Sequence, residues 1–257
     1  PIIAVPMNRN EDNRYSVDYS AFEAAIVKHD VKVFIHCNPH NPVGHVWTED
    51  EMDQLFSICK RHGVLIISDE IHQDLVAGPL PFTSALTVSN GAYANMSSLS
   101  KSFNMASLHH AEVIIPNEDL RRQYNACKSL VYHTDSDVIA EIAITAAYTH
   151  PEAEMWLTDL LAVVKENYEY MCSQLLQALP KLRISPMDGT YLAWIDFGAY
   201  VKAEDIRDIF ENQCGIAPSF GEWFGGESYA TFVRLNLATS PENIKIATHS
   251  MIQHIHP

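Results

Sequence analysis

Short apolar runs punctuate the first half of the chain at Ile2–Val5, Val33–Cys37, Val64–Ser68, Ala92–Ser97 and Glu112–Ile115. They read as near-continuous rather than alternating, the pattern of strands covered on both faces. Between the second and third runs the period changes. Met52, Leu55, Phe56 and Cys59 fall on one helical stripe, and Thr48 and Glu51 stand three apart at its start. That spacing is a capping box, in which each side chain satisfies the other's backbone N–H. Gly63 follows as the residue able to adopt the left-handed conformation that ends a helix. Strand, helix and strand over Val33–Ser68 therefore predict a βαβ unit and a parallel pairing.

Helical periodicity dominates next. Asp119–His133 and Asp137–Thr149 predict helices, and Pro151 suits the first turn of a long helix running to about Leu179. Trp156, Leu157, Leu160, Leu161 and Val164 form the packing stripe of that helix. Beyond Pro180, strand-like runs at Leu182–Ser185 and Thr190–Asp196 hinge on Asp188-Gly189. A helix over Ala203–Gln213 stopped by Gly215, a strand at Phe232–Leu237 and a final helix opened by Ser240-Pro241-Glu242 complete the chain. The expected organisation is α/β, with residues 1–150 forming a larger, mostly parallel domain. Residues 151–257, including the long helix, would form a smaller α+β domain.

The chain has 257 residues, 47% hydrophobic and 19% charged, which suffices for one large core or two modest ones. Its 17 Lys and Arg stand against 32 Asp and Glu, a formal net charge of −15. So acidic a surface argues against nucleic acid or an anionic membrane as the main partner. It leaves small-molecule chemistry open, because a local site can oppose the global field. Cys37, Cys59, Cys127, Cys172 and Cys214 are odd in number, widely spaced and without a CxxC pair. Neither a disulfide framework nor a zinc ribbon is indicated, and reduced thiols in a cytoplasmic protein are the simplest reading.

Ligands of open parallel sheets sit beyond the carboxyl ends of the strands. After Val33–Cys37 comes Asn38-Pro-His-Asn41-Pro-Val-Gly44; after Val64–Ser68 comes Asp69-Glu-Ile-His72; after Ala92–Ser97 comes Ser98-Leu-Ser-Lys101. An amide, a carboxylate, and an ammonium with hydroxyls thus follow successive strands. Taken singly, each is what any chain leaving a core would show. Together they fit pyridoxal 5′-phosphate. That cofactor needs a lysine for its aldehyde, a carboxylate that keeps its pyridine nitrogen protonated, a donor to its phenolate oxygen and groups for its phosphate. Lys101, Asp69, Asn41 and Ser98 supply that set.

The ordered occurrence of Asn41-Pro-Val-Gly44, Ser68-Asp-Glu-Ile-His72 and Ser98-Leu-Ser-Lys101 resembles the fold-type I, class I/II aminotransferase superfamily. The longer strings Cys37-Asn-Pro-His-Asn-Pro-Val-Gly-His-Val-Trp-Thr48 and Ser100-Lys-Ser-Phe-Asn104 are most similar to the MalY/PatB-type cystathionine β-lyases. The resemblance implies a fold-type I transferase fold and an α,β-elimination from a cysteine S-conjugate. Its products are pyruvate, ammonia and a thiol. An aminotransferase shares the early steps, and spacing alone does not separate the two. A non-catalytic remnant is the alternative of another class.

Residue by residue, the resemblance makes Lys101 the cofactor-bearing lysine and proton shuttle, Asp69 the pyridinium partner and Asn41 the donor to O3′. His72 takes the place of a Tyr that also touches O3′, and Ser98 with Ser100 would bind the phosphate. Arg234, in Phe232-Val-Arg-Leu-Asn236, would clamp the substrate α-carboxylate, for which its planar fork is suited. Alternation with Val233 and Leu235 would otherwise place that arginine in solvent. His109 departs from the family's phosphate-binding Arg, and Ser107 from its common Gly. His36, His40 and His45 lack a carboxylate or Cys completing a ligand spacing, so they do not read as a metal site. The resemblance covers the C-terminal two-thirds of such an enzyme. It implies a preceding segment with a phosphate-holding turn and a ring-stacking aromatic. A homodimer is expected of the full-length protein, and weak cofactor binding with a tendency to aggregate is expected of residues 1–257 alone.

Overall fold

A computed structural model describes residues 1–88, 93–131 and 137–256. Ala92 and residues 132–133, each within an expected element, lie outside them. Two short strands, β1 (Asn8–Arg9) and β2 (Tyr15–Ser16), pair as an antiparallel hairpin. Helix α1 (Tyr19–His29) follows, capped by Asp18, whose side chain accepts from Ala21 N. Strand β3 (Val33–Cys37), helix α2 (Glu49–Arg61) and strand β4 (Leu65–Asp69) form the βαβ unit. β3 and β4 run parallel, Val33 opposite Leu65 and Cys37 opposite Asp69. Strand β5 (Tyr93–Ser97) continues the parallel set, one-turn helix α3 (Leu99–Ser102) leaves it, and β6 (Glu112–Ile114) returns antiparallel. The sheet order is β3-β4-β5-β6.

The predicted capping box is present in α2. Thr48 N donates to Glu51 Oε2 at 2.8 Å and Glu51 N to Thr48 Oγ1 at 3.3 Å. Met52, Leu55, Phe56 and Cys59 are all at most 1% exposed, packed with Phe22 and Ile26 of α1. Burying a side chain of this size contributes about 2 kcal/mol. Gly63 takes φ 66°, which a residue with a Cβ adopts only at a cost.

Helices α4 (Glu118–Leu130) and α5 (Val138–Thr149) lead to α6 (Pro151–Ala178). Of the packing stripe expected in α6, Val164 is fully buried, whereas Trp156 is 45% exposed and stacks on Phe103. Strands β7 (Arg183–Ile184) and β8 (Leu192–Asp196) precede a helix, α7 (Ile206–Asp208), that widens into a π-turn over Ile209–Gln213. This is shorter than the helix expected from Ala203. Cys214 N reaches Ile209 O, five residues back, at 2.8 Å. Strand β9 (Ser219–Phe220), helix α8 (Glu222–Gly225), strand β10 (Phe232–Asn236) and helix α9 (Pro241–His254) complete the second half. The second sheet is antiparallel in the order β7-β8-β10-β9. Val164, Met171 and Leu175 of α6 pack with Ile195, Val233 and Met251 as its core.

Ile2–Val5 is not a strand. Pro1 and Pro6 flank the run and lack the N–H a ladder needs. Val5 packs instead against the cluster under α1 and α2, and Ile2 is 97% exposed. The hairpin beyond it reaches the second sheet. Arg9 Nη1 donates to Asp196 Oδ2 at 2.8 Å, and Trp194 Nε1 donates to Tyr15 OH at 3.2 Å.

A second seam joins the sheets. Asp188 N and Gly189 N both donate to Gly44 O, at 3.1 and 2.9 Å, and Thr190 N donates to Leu75 O at 2.7 Å. Arg14 pairs with Asp188 from the hairpin. The Asp188-Gly189 hinge therefore grips the loop that follows β3.

Candidate active site

The loop after β3, the turn after β4, the helix after β5 and the middle of β10 open into one cavity of about 480 Å³. Asn41, His72, Lys101 and Arg234 all line it, with Tyr191 and Ser219. Lys101 sits in the single turn of α3, whose N-cap is Ser98; Ser98 Oγ accepts from Ser100 N at 3.1 Å. Leu99 and Phe103 anchor that turn against Ala147 of α5.

Arg234 does not face open solvent. Its neighbours Val233 and Leu235 are buried in the second core, so the alternation of β10 turns Arg234 toward the first sheet. Nη1 donates to Asn41 Oδ1 and Nη2 to Ser219 Oγ, both at 2.9 Å, and the guanidinium lies 4.8 Å from the Phe224 ring centroid. Burial pulls its pKa down, opposed by Tyr191. Because Asn41 Oδ1 is occupied, its NH₂ is left as the donating end.

His72 is 3% exposed, edge-on to Tyr191 at 5.8 Å between ring centroids. Its Nδ1 is buried with no hydrogen-bond partner among the described residues. Burial, with the charges of Lys101 and Arg234, lowers its pKa to about 4 and keeps the ring neutral. Lys101 and Arg234 are cationic, and among the described residues no Asp or Glu lines the cavity. The pocket thus opposes the acidic surface and suits an anionic ligand.

Asp69, the last residue of β4, and Ser98 and Ser100 are not among the residues that line this cavity. Asp69 Oδ1 accepts from Ile71 N at 3.2 Å. Ser98 Oγ lies 2.7 Å from both His110 O and Ser100 Oγ. Its one proton is directed to His110 O, so a phosphate contact would require Ser98 or Ser100 to turn. His109 is exposed, with φ 48°. The other histidines of the β3 loop serve packing. His36, His40 and His45 surround Trp47 with ring centroids 4.9–5.9 Å away, and His45 Nε2 meets Glu51 Oε2 at 3.2 Å. Burial raises the Glu51 pKa, but the bonds from His45 and Thr48 outweigh it and bring it to about 2.

Sequence reasoning missed Tyr191, Ser219 and Phe224. Tyr191 lies two residues after the Asp188-Gly189 hinge, the only signal it carried. Ser219 reaches the site through the pairing of β9 with β10 and Phe224 through α8, which follows β9, and no local pattern announces either.

The site residues fit pyridoxal phosphate in kind. A lysine, a donating amide, an unsatisfied buried imidazole nitrogen and an arginine share one cavity, with a carboxylate at the neighbouring strand end. The sequence model described as "Aminotransferase class I and II" matches residues 2–251. Protein MalY of Escherichia coli K12 is 34% identical over 91% of the chain, and cystathionine beta-lyase PatB of Bacillus subtilis 168 is 31% identical over 90%. The chain spans about 60% of the length of each. The crystal structure of the pyridoxal-phosphate-bound C-S lyase of Staphylococcus hominis superposes with a TM-score of 0.88 at 28% identity. The match covers 97% of this chain and 63% of that one. No helix among the described residues is long and apolar enough to cross a membrane.

Proposed function

The chain belongs to the class I and II aminotransferase family, with a fold-type I architecture and pyridoxal 5′-phosphate as the family's cofactor, and from this premise we propose that it is a carbon–sulfur lyase. Its reaction would be α,β-elimination from cystathionine or a related cysteine S-conjugate, giving pyruvate, ammonia and a thiol. The observation that carries the reading is the convergence of Lys101, Asn41, His72 and Arg234 on one cavity. The names of the PatB and Staphylococcus relatives support lyase over transfer chemistry.

When bound, pyridoxal phosphate supplies an electron sink for the charge left at the substrate Cα. The remaining tasks fall to the chain. Lys101 Nζ would hold the cofactor covalently and, once displaced by the substrate amine, would move the proton at Cα. Asp69 holds a proton on the pyridine nitrogen. Asn41, its oxygen committed to Arg234, donates from its NH₂ toward O3′. His72, kept neutral, offers the second contact there. Ser98 or Ser100 would contact the phosphate after turning from the Ser98–His110 bond. Arg234 binds the α-carboxylate with the N–H groups that Asn41 and Ser219 leave free.

In this reading residues 1–150 are part of the cofactor domain and residues 151–257 are the small domain. The full-length enzyme is a cytoplasmic homodimer acting on a small amino acid. Free cysteines at all five positions accord with a reducing compartment.

The test supplies holoenzyme with cystathionine alone, then with an amino acid plus a 2-oxo acid. A lyase releases pyruvate and thiol without an acceptor. Strict dependence on the acceptor assigns an aminotransferase instead. Borohydride reduction followed by peptide mapping should place the label on Lys101, and label on Lys128 or Lys165 would overturn the site.

A further inference from the structure

Asp74 lies outside the cavity and outside every role above. Its Oδ2 accepts two hydroxyls, Ser102 Oγ at 2.7 Å and Tyr148 OH at 2.8 Å. Ser102 is fully buried and adjoins Lys101 in α3. Tyr148 belongs to α5. Asp74 itself sits on the tight turn after β4, where Gln73 N donates to Glu70 O and Leu75 N to His72 O, both at 2.9 Å. That turn also carries His72.

We propose that Asp74 is a positioning residue that fixes the Lys101 turn against the His72 turn through Ser102 and Tyr148. The proposal rests on the reading of Lys101 as the cofactor-bearing lysine. The need for such a clamp follows from the size of α3. One helical turn cannot hold itself in water. Leu99 and Phe103 fix it by apolar contact, which sets depth but not rotation. A hydrogen bond to an ionised carboxylate adds direction and is about twice as strong as a neutral one. Tyr148 is suited to remain the donor, since burial and the Asp74 charge both raise its pKa. Phe103 also packs edge-on against the Tyr148 ring at 5.4 Å, so polar and apolar contacts close on the same side of the turn.

The experiment compares Asp74→Ala, Asp74→Asn, Ser102→Ala and Tyr148→Phe in the holoenzyme. The readouts are cofactor affinity and the pH midpoint of the lysine-bound cofactor absorbance. Asp74→Ala should weaken affinity about tenfold or more and displace the midpoint. Asp74→Asn, which can still present an accepting oxygen to both hydroxyls, should restore both readouts to within about threefold of wild type. Ser102→Ala and Tyr148→Phe, which each remove a single hydroxyl, should each produce part of the alanine effect. Wild-type affinity and midpoint in Asp74→Ala would overturn the proposal. So would an Asp74→Asn variant no better than Asp74→Ala, or wild-type behaviour in both hydroxyl variants. A wild-type protein labelled on a different lysine would instead sink the site reading, whatever Asp74 does.

Discussion

Arg234 Nη1 donates to Asn41 Oδ1 at 2.9 Å, across 193 positions of sequence and from the second sheet to the first. The bond orients both groups at once. It fixes which end of the Asn41 amide donates, and it holds one edge of the guanidinium while Ser219 holds the other. Arg234→Lys keeps the charge but loses the planar fork and one of these two anchors. In the holoenzyme it should raise KM by about 10–100-fold with a smaller fall in kcat, the signature of lost substrate binding. Steady-state kinetics with cystathionine decide this, and an unchanged KM contradicts the assignment.

Asp69 terminates β4 opposite Cys37 and Met96, and its role is electronic rather than architectural in the proposed reaction. Asp69→Ala should lower kcat by roughly 100-fold or more while KM changes little, because the carboxylate acts on charge that develops only during turnover. A kcat within a few-fold of wild type would remove Asp69 as the pyridinium partner.

His36 and His72 make stability depend on acid. Burial first, then His40 and His45 beside His36 and the charges of Lys101 and Arg234 beside His72, lowers their pKa values to about 3 and about 4, below the ordinary 6.5. Between those limits the unfolded chain binds protons that the folded chain refuses. Stability is therefore complete above about pH 6.5 and is lost as pH falls toward about 4. Each residue should contribute about 2 kcal/mol of loss by about pH 5. Urea midpoints measured from pH 7 to pH 5 should decline, and His36→Gln should flatten the decline. A constant midpoint would contradict the buried neutral state.

Gly189 is required by packing, not by conformation. A Cβ there would lie 2.7 Å from Pro39 Cβ and 2.9 Å from Val46 Cγ2. Gly189→Ala should cost about 1–3 kcal/mol. Gly63→Ala, where no atom lies within 4 Å but φ is 66°, should cost about 1 kcal/mol. Thermal unfolding of the two variants separates the cases, and equal midpoints would show that the Pro39 loop yields.

The elements that positioned this site were legible where local chemistry determines them. The capping box at Thr48 and Glu51, the parallel β3–β4 pair and the start of α6 at Pro151 follow from patterns a few residues long. Arg234 was legible only through resemblance, since its alternation with Val233 and Leu235 also suits a solvent-facing side chain. What turns it inward is the first sheet packed on that face, a tertiary fact. Ile2–Val5 shows the opposite failure. Its apolar run is genuine, but flanking prolines and packing under α1 and α2 divert it from any ladder. The π-turn after α7 was invisible because one added residue per turn leaves almost no trace in hydrophobic spacing.

The grip of Gly44 O on Asp188 N and Gly189 N bears on recombination between relatives. A chimera joined near His150 would take the β3 loop and Arg14 from one parent, and Asp188 with Gly189 from the other. The crossover would cut no strand pair of either sheet, yet it would separate donors from their acceptor and a charge from its counter-ion. Viable hybrids should therefore be those whose parents agree at Arg14, Pro39, Asp188 and Gly189, whatever their overall identity.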